Sequence, residues 1–468
     1  MRILDEFTAM DILMVIAYMA VMVIISIVAG KRIKNSRDFS SAGQSLSWIM
    51  CAGSSIATCM GANMVLGKYD LILESGMAGM TASLFWWLGW IFLMILAKPL
   101  RNSGAASIPM FFEKRYNYTT QKISSYCVLV SAIASCAAQY LAIGNIFEAL
   151  GICSRETGVW IGAAIIVLFT IFSGLWGVAL TDTVQSVILM IAFGIIFPIA
   201  VFRTAGGWNA VMASHTAEEL SLFEGIAPIT MVGWAAYYAF STGSDPSLAQ
   251  RIFSAKDTKN AIKGQAVAWV CTLLIAGFIS AVPALAIHVI FPELTVGSQF
   301  TPLFIIRYIP AGLSGLMMAS LLGLMLTSGD TYLLLLSSTA VDDIVRPMAK
   351  REIPDRMLLL INRLVCVLSA VVICIMALYV DSIYQLLKTG GGAYGAGVFF
   401  PLLLGCFWKK ANAKMINRGM LLGTGVSFLF DMAFKIPLGL DIDGVVIGGL
   451  FCLAVCVGGS LLTAEKSF

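Results

Sequence analysis

The chain has 468 residues, of which 59% are hydrophobic and 12% are charged, with a net charge of +4 and a mean hydropathy of +0.89. Soluble domains carry about 25% charged residues, so this composition excludes a soluble globular protein and predicts an all-α polytopic membrane protein surrounded by membrane lipid. The small net charge gives no reason to expect a nucleic-acid partner, and no obligate protein partner is indicated.

Thirteen apolar segments are long enough to cross a bilayer. They lie at about 9–30, 47–70, 76–99, 120–149, 158–175, 178–203, 229–250, 262–291, 311–340, 356–379, 382–408, 414–434 and 442–463. Basic residues follow the first, third, seventh, ninth and eleventh segments, whereas the other connections are acidic or neutral. The positive-inside rule therefore predicts an outside N-terminus and a cytoplasmic C-terminus in the plasma membrane. The whole chain, 1–468, is expected to form one transmembrane transporter domain.

Two of these segments contain residues that interrupt helices. The second contains the run 58–63 (TCMGAN) and the seventh contains the run 241–246 (STGSDP). Unwound backbone is tolerated in a bilayer only where it lines a cavity or is buried in protein. Taken alone, either break could serve only helix packing or a proline kink.

The spacing of the two breaks indicates an inverted repeat. They lie five segments apart, so the broken segments cross the membrane in opposite directions, with a binding site expected between them. We predict a first repeat over 47–203 and a second over 229–408. A peripheral first helix at 9–30 and two C-terminal helices within 414–463 are expected to flank this core.

The ninth segment carries hydroxyls and a carboxylate inside an otherwise apolar helix. Thr327, Ser328 and Thr331 lie on adjoining parts of one helical face, and Asp330 is one turn from Thr327. A charge near the bilayer centre costs about 3 kcal/mol even on the lenient insertion scale, so it needs a partner or a function. Clustered oxygens of this kind suit a small hard cation.

Five dispersed motifs resemble those of the sodium:solute symporters, the family that includes bacterial proline, sialic acid and galactose carriers. They are 38–43 (DFSSAG), 108–116 (IPMFFEKRY), 172–185 (FSGLWGVALTDTVQ), 245–257 (DPSLAQRIFSAKD) and 405–410 (GCFWKK). The resemblance covers most of the chain. It implies about thirteen helices around a five-plus-five inverted repeat of the LeuT type, and transport driven by a sodium gradient.

The resemblance also implies a main sodium site between the broken second segment and the ninth. Its ligands would be backbone and hydroxyl oxygens of Ala57, Met60, Leu324, Thr327 and Ser328. Neutral oxygens replace the hydration shell of a small cation and keep binding weak enough for release. The alternative is that the hydroxyls bond back to the preceding turn of their own helix.

Asp182 matches an aspartate that, in similar family members, receives sodium on its way inward or forms a second sodium site. The other ligands there would be Thr327, Asp330 and Thr331, but the chain departs from the family at Asp330, where a hydroxyl is expected. Two close carboxylates cannot both ionise freely, so we predict that Asp182 and Asp330 hold a second cation or a shared proton. Alternatively, Asp330 caps a kink beside Gly329 or faces a hydrated vestibule.

The fold implied by the resemblance places the solute between the second, third, fourth, seventh and eleventh segments. The candidate residues there are Asn63, Met64, Gln139, Tyr237, Tyr238, Ser241, Thr242, Lys388 and Thr389. Lys388 favours an anionic solute such as a carboxylate, because an ammonium group in the membrane demands a negative partner, unless the side chain snorkels to the interface. The arginine that sialic acid carriers use on the fourth segment has no counterpart here, which disfavours sialic acid.

These features predict a sodium-coupled symporter that imports a small organic solute by alternating access, with Na⁺ as the bound ion. A proton-coupled or mixed sodium and proton symporter of an amino acid or sugar is one alternative, and a transporter-like membrane sensor is another. An enzyme is not expected, because the two histidines do not assemble with a nucleophile, base or metal cluster.

Overall fold

The computed structural model describes residues 7–33, 35–61, 66, 68–274, 282–349, 351–379, 383–434 and 442–464. Within these ranges the chain forms helices and connections, and no strand beyond an isolated bridge between Leu46 and Ala255. Nine of the described helices are long and apolar enough to cross a membrane. The count of thirteen transmembrane helices therefore stays a prediction.

The first half of the chain follows the predicted segments closely. Its helices are α1 (Ala9–Gly30), α2 (Ser36–Ser41), α3 (Trp48–Cys59), α4 (Lys68–Ser75), α5 (Thr81–Asn102), α6 (Ile108–Arg115), α7 (Tyr118–Ala149), α8 (Arg155–Ile191), α9 (Phe197–Thr204) and α10 (Trp208–Ala213). The second predicted segment is divided between α3 and α4, as its sequence indicates. Helix α8 turns at Gly174, whose φ of 50° favours glycine, and this turn separates the predicted fifth and sixth segments.

The second half begins with another divided segment. Its helices are α11 (Pro228–Gly243), α12 (Pro246–Ser254), α13 (Thr258–Thr272), α14 (Ile287–Ile290), α15 (Phe300–Tyr308), α16 (Leu313–Ser338), α17 (Arg346–Met348), α18 (Asp355–Leu378), α19 (Ile383–Phe407), α20 (Ala413–Leu429) and α21 (Gly444–Ala464). Helix α16 continues through a π-helical stretch, Thr339–Val345, into α17, so it is longer than the predicted ninth segment.

The break between α11 and α12 has a clear local cause. Pro246 lacks a backbone N–H and is preorganised for the first helical position. The Asp245 side chain accepts hydrogen bonds from the backbone N–H groups of Ser247 (2.8 Å) and Leu248 (2.9 Å). An aspartate N-cap followed by proline therefore starts a new helix inside the membrane segment.

Helices α7 and α16 form the centre of the molecule, and α1 lies at its edge. In the most apolar stretches, most residues of α7 and α16 are buried, whereas most residues of α1 are exposed. Helix α16 packs against α7, α8 and α1, and α3 packs against α8 and α13. The polar residues of α16 therefore face protein on several sides, and α1 covers one of those sides.

Candidate cation and solute sites

Helix α16 presents its polar groups on two neighbouring faces. Leu324, Ser328 and Thr331 recur at intervals of four and three residues and define a first face, which contacts α3 and α12. Gly323, Thr327 and Asp330 recur at the same intervals and define a second face, which is turned toward α1 and α8. The predicted oxygen cluster is thus divided between two environments.

The two predicted hydroxyl ligands of the main sodium site donate hydrogen bonds to different helices. Thr327 Oγ1 donates a hydrogen bond to the carbonyl of Leu324 (3.0 Å), one turn earlier in its own helix. Ser328 Oγ instead donates to the carbonyl of Thr58 (3.0 Å) in α3. The alternative of bonding to the preceding turn therefore applies to Thr327, whereas Ser328 links α16 to the broken helix.

The end of α3, α7 and α16 meet at this point. A methyl group placed on Gly61 would stand 2.6 Å from Ser328 Oγ and 3.1 Å from Gln139 Oε1. Ala57, Met60 and Leu324, whose carbonyls are the other predicted ligands, are all buried. Of the predicted main-site residues, Ser328 is linked to α3 at this junction, whereas Thr327 lies on the second face of α16, and the role of all five as sodium ligands stays a prediction.

A fully buried arginine lies on the first face of α16. Arg251 Nη2 donates to Thr331 Oγ1 (2.7 Å) and Thr58 Oγ1 (3.0 Å), and its Nε donates to Ser54 Oγ (3.0 Å). The same guanidinium lies 3.6 Å from Asp182 Oδ2, which accepts a hydrogen bond from Ser54 Oγ (2.6 Å). We call Arg251, Asp182, Ser54, Thr58 and Thr331 the arginine cluster.

Sequence analysis missed the position of Arg251. It grouped this residue with the basic connection after the seventh segment, but Arg251 lies in α12 and has none of its side chain exposed. The signal was the Asp-Pro pair at 245–246, which starts a helix that reaches Arg251 within two turns. The predicted second site would therefore also contain a positive charge, because the Arg251 guanidinium lies beside Asp182 and Thr331.

A cavity of about 120 Å³ adjoins the Ser328 junction. Its described lining includes five of the predicted solute residues, namely Gln139, Tyr237, Tyr238, Ser241 and Thr242. Thr389 is not part of that lining. Asn63, Met64 and the side chain of Lys388 lie outside the part of the chain that the structure describes.

The cavity also contains residues that the sequence did not single out. Trp86, Tyr332 and Tyr394 add aromatic rings, and Asp245 adds a carboxylate. Thr58 and Gly61 line it as well, so the cavity and the Ser328 junction share the end of α3. No arginine or lysine belongs to the described lining.

Helices α11 and α19 form one wall of the cavity and are joined by side-chain hydrogen bonds. Ser241 Oγ donates to the carbonyl of Gly391 (2.9 Å), and Tyr237 Oη donates to that of Leu387 (3.2 Å). These bonds hold two predicted solute residues against the run of glycines in α19. Because the glycines have no side chains, the space beside Tyr237 and Ser241 stays open.

Comparison with known proteins agrees with this architecture. The model of the sodium:solute symporter family matches residues 39–423. The chain is 23% identical over 442 residues to the osmoregulated proline transporter OpuE of Bacillus subtilis (strain 168), which covers 88% of this chain and 87% of that protein. It is 24% identical over 460 residues to the sodium/proline symporter of Escherichia coli (strain K12), with 92% and 90% covered.

A solved structure of a Na⁺-coupled sialic acid symporter, in a substrate-bound outward-open state, superposes with a TM-score of 0.84 at 18% identity. It covers 97% of this chain and 98% of that one, and it confirms the predicted LeuT-like all-helical fold class. The family match over residues 39–423 and the two transporter relatives show a multi-pass plasma-membrane transporter coupled to sodium, and not an enzyme. Since the family model spans most of its length, the chain belongs to the sodium:solute symporter family.

Proposed function

We propose that this symporter carries a small zwitterionic amino acid, of the chemical class of proline, together with sodium. The single observation that supports this best is Asp245, a carboxylate among aromatic rings in the lining of the cavity. A carboxylate and aromatic faces both attract an ammonium group. The curated relatives carry proline, which has such a group.

An amino acid also agrees with the sequence-based prediction of an anionic solute, because it carries a carboxylate. That preference rested on Lys388, which would pair with a carboxylate. A solute with both charges has a group for Asp245 and a group for a cation, whereas a simple carboxylate would meet Asp245 with like charge. A simple carboxylate is accordingly the less favoured solute.

Sodium and solute are coupled, in this proposal, through the end of α3. Sodium held by Ala57, Met60, Leu324, Thr327 and Ser328 would fix α3 against α16. Thr58 and Gly61 contribute to both the junction and the cavity, so fixing α3 also orders the solute pocket. Each ligand then raises the affinity for the other, as linkage requires.

The inner side of the membrane is assigned, also as a proposal, to the side with the basic connections. A second cavity of about 340 Å³ opens there, lined in part by Arg37, Lys114 and Arg346. Its position suits an inner vestibule into which solute and sodium leave. Sodium would pass Asp182 on the way, and Asp182, Asp330 and Thr331 stay candidates for a second cation or proton site. The N-terminus is then outside and the C-terminus cytoplasmic.

Uptake into proteoliposomes tests the solute. With an inward sodium gradient, we expect uptake of radiolabelled proline, or of another small amino acid, and inhibition by zwitterionic amino acids but not by simple carboxylates or sugars. The Asp245→Asn variant keeps a good N-cap residue for α12 and removes the charge. We expect it to lose at least tenfold in apparent solute affinity.

Asp257→Asn is the matched control, because Asp257 also caps a helix but is exposed and outside the cavity. It should transport like the unmodified protein. If Asp245→Asn matched this control, or if simple carboxylates were the better inhibitors, the proposed solute class would be wrong.

A further inference from the structure

The proposed solute cavity of about 120 Å³ and the vestibule of about 340 Å³ are separate spaces that lie close together. Their described linings have no residue in common. In α12, however, Leu248 lines the solute cavity, whereas Pro246 and Gln250, two residues away on either side, line the vestibule. The first turn of α12 is therefore part of a partition between the two spaces.

Helices α7 and α16 also pass from one space to the other. In α7, Ser131 lines the solute cavity and Val128 lines the vestibule. In α16, Tyr332 lines the solute cavity and Leu335 lines the vestibule. Each pair is three residues apart and shares one helical face, so the partition is about one helical turn thick.

Tyr332 has the largest side chain among the described residues that border this partition. Its hydroxyl lies next to the side chain of Ser247. The Ser247 hydroxyl in turn donates a hydrogen bond to Asp245 Oδ1 (2.5 Å), at the N-cap of α12. The tyrosine ring therefore extends from α16 to the first turn of the broken helix.

The surroundings of Tyr332 leave it room to move. Its side chain is half-buried and borders the open space of the solute cavity. Leu335 and Val128, on the vestibule side, are buried. A side chain beside open space has another staggered rotamer available, whereas an enclosed one does not.

We propose that the Tyr332 ring closes the solute cavity toward the vestibule, and that solute leaves between α7, α12 and α16 when this ring moves. Alternating access requires such a route from the binding site to each side of the membrane. The proposal rests on the proposed solute cavity and on the assignment of the vestibule to the inner side. Tyr332 lies one turn after Ser328, so a shift of α16 on sodium release would also move this barrier.

Cys59 is a native reporter for the barrier. It lines the solute cavity, and no cysteine belongs to the vestibule lining that the structure describes. Inside-out membrane vesicles with the full-length protein, in sodium buffer, are treated with a membrane-impermeant trimethylammonium methanethiosulfonate. Peptide-resolved mass spectrometry then measures modification of Cys59 from the inner side. Tyr332→Ala should be modified at least tenfold faster than the unmodified protein, and Tyr332→Phe, which keeps the ring, should match the unmodified protein.

Trp86→Ala is the matched control for a larger cavity. Trp86 also lines the solute cavity, but it belongs to α5, and no residue of α5 is part of the described vestibule lining. Its removal should leave the modification rate of Cys59 unchanged. Thermal unfolding in detergent verifies that each variant is folded. If Tyr332→Ala fails to fold, Tyr332→Leu decides in its place, because leucine is smaller than tyrosine and is a good helix former.

Three outcomes would each overturn the barrier: an unchanged rate in the folded Tyr332 variant without the ring, an equally fast rate in Tyr332→Phe, or the same acceleration in Trp86→Ala. The result is separable from that of the proposed function. If amino-acid uptake is present and the rates do not change, the barrier fails and the proposed function stands. If the rates change as expected and no amino acid is taken up, the proposed solute class fails and the barrier stands.

Discussion

Asp182 and Asp330 are two buried carboxylates in the same membrane core, and only Asp182 lies within ion-pair distance of an arginine among the described residues. Asp182 is 0% exposed and lies beside Arg251 and Ser54. Asp330 is 4% exposed, and each of the two carboxylates has one oxygen without a hydrogen-bond partner among the described residues. The chain therefore places a countercharge beside Asp182, whereas a cation or a proton for Asp330 is a prediction.

The difference separates a permanent ion pair from a carboxylate that is a candidate for a reversibly bound cation or proton. An arginine supplies several donors in a fixed geometry and cannot leave, so the arginine cluster holds α3, α8, α12 and α16 together as long as its contacts persist. A bound cation leaves when its gradient allows. A transporter needs both, because some contacts between its helices must persist while the cargo ion is released.

Replacing Arg251 should have the largest effect. Arg251→Met would leave Asp182 buried beside an apolar side chain, and breaking a buried pair in this way costs about 3–5 kcal/mol. We expect a much lower thermal unfolding midpoint in detergent and loss of sodium-driven uptake. Arg356→Met, at an exposed arginine of α18, is the control and should change neither.

A second substitution makes this test specific for charge. Adding Asp182→Asn to Arg251→Met removes the uncompensated carboxylate and should restore a large part of the unfolding midpoint. If the double variant were as unstable as the single one, the role of Arg251 would be its packing and hydrogen bonds, and not its charge. The contrast between Asp182 and Asp330 would then lose its electrostatic basis.

A third carboxylate, Asp11 of α1, shows how hydrogen bonds alone can satisfy a charge. Its Oδ1 accepts hydrogen bonds from the backbone N–H groups of Gly312 (2.7 Å) and Gly315 (2.9 Å) and from the Ser314 hydroxyl. Gly312 is the N-cap residue of α16 and has no side chain to cap it. Asp11 therefore supplies the cap of α16 from another helix.

Removing this cap should have an intermediate effect. We expect Asp11→Ala to cost about 2 kcal/mol, because charge-assisted hydrogen bonds at a helix N-terminus are lost. The loss should appear as a lower thermal unfolding midpoint of the full-length protein in detergent. Asp355→Ala, at an exposed first-turn aspartate of α18, should leave the midpoint unchanged. An unchanged midpoint in Asp11→Ala would show that this contact between α1 and α16 does not stabilise the fold.

The elements of the fold were predictable because long apolar runs and helix breakers leave local signals. The break at α3 and that at α11 and α12 follow from Gly61 and from the Asp-Pro pair at 245–246, and the first helix was predicted at its observed bounds, Ala9–Gly30. The ninth segment was predicted too short, because the acidic residues of Thr339–Val345 are typical of a connection between membrane segments.

The neighbours of each polar group were not predictable in the same way. Arg251 and Asp182 are distant in sequence, and the packing of α3 against both α12 and α8 brings them together. Tyr18 was not singled out from the sequence, since nothing in its local sequence shows that Gly323 makes room for it. Residue types and breaks thus predict that α16 binds the ion, which stays a prediction, while its two separate faces emerged only from tertiary contacts.

The smallest expected effect belongs to Ser328, on the first face of α16. Ser328→Ala removes the hydroxyl that links α16 to the Thr58 carbonyl, and it should raise the sodium concentration for half-maximal uptake about tenfold, equivalent to about 1.4 kcal/mol. Ser320→Ala is the matched control, because Ser320 is equally buried in α16 but donates to Leu316 of its own helix. The sodium dependence of Ser320→Ala should match that of the unmodified protein. If Ser328→Ala also matched it, Ser328 would not be a sodium ligand, and its bond to Thr58 would be a permanent contact between helices like those of the arginine cluster.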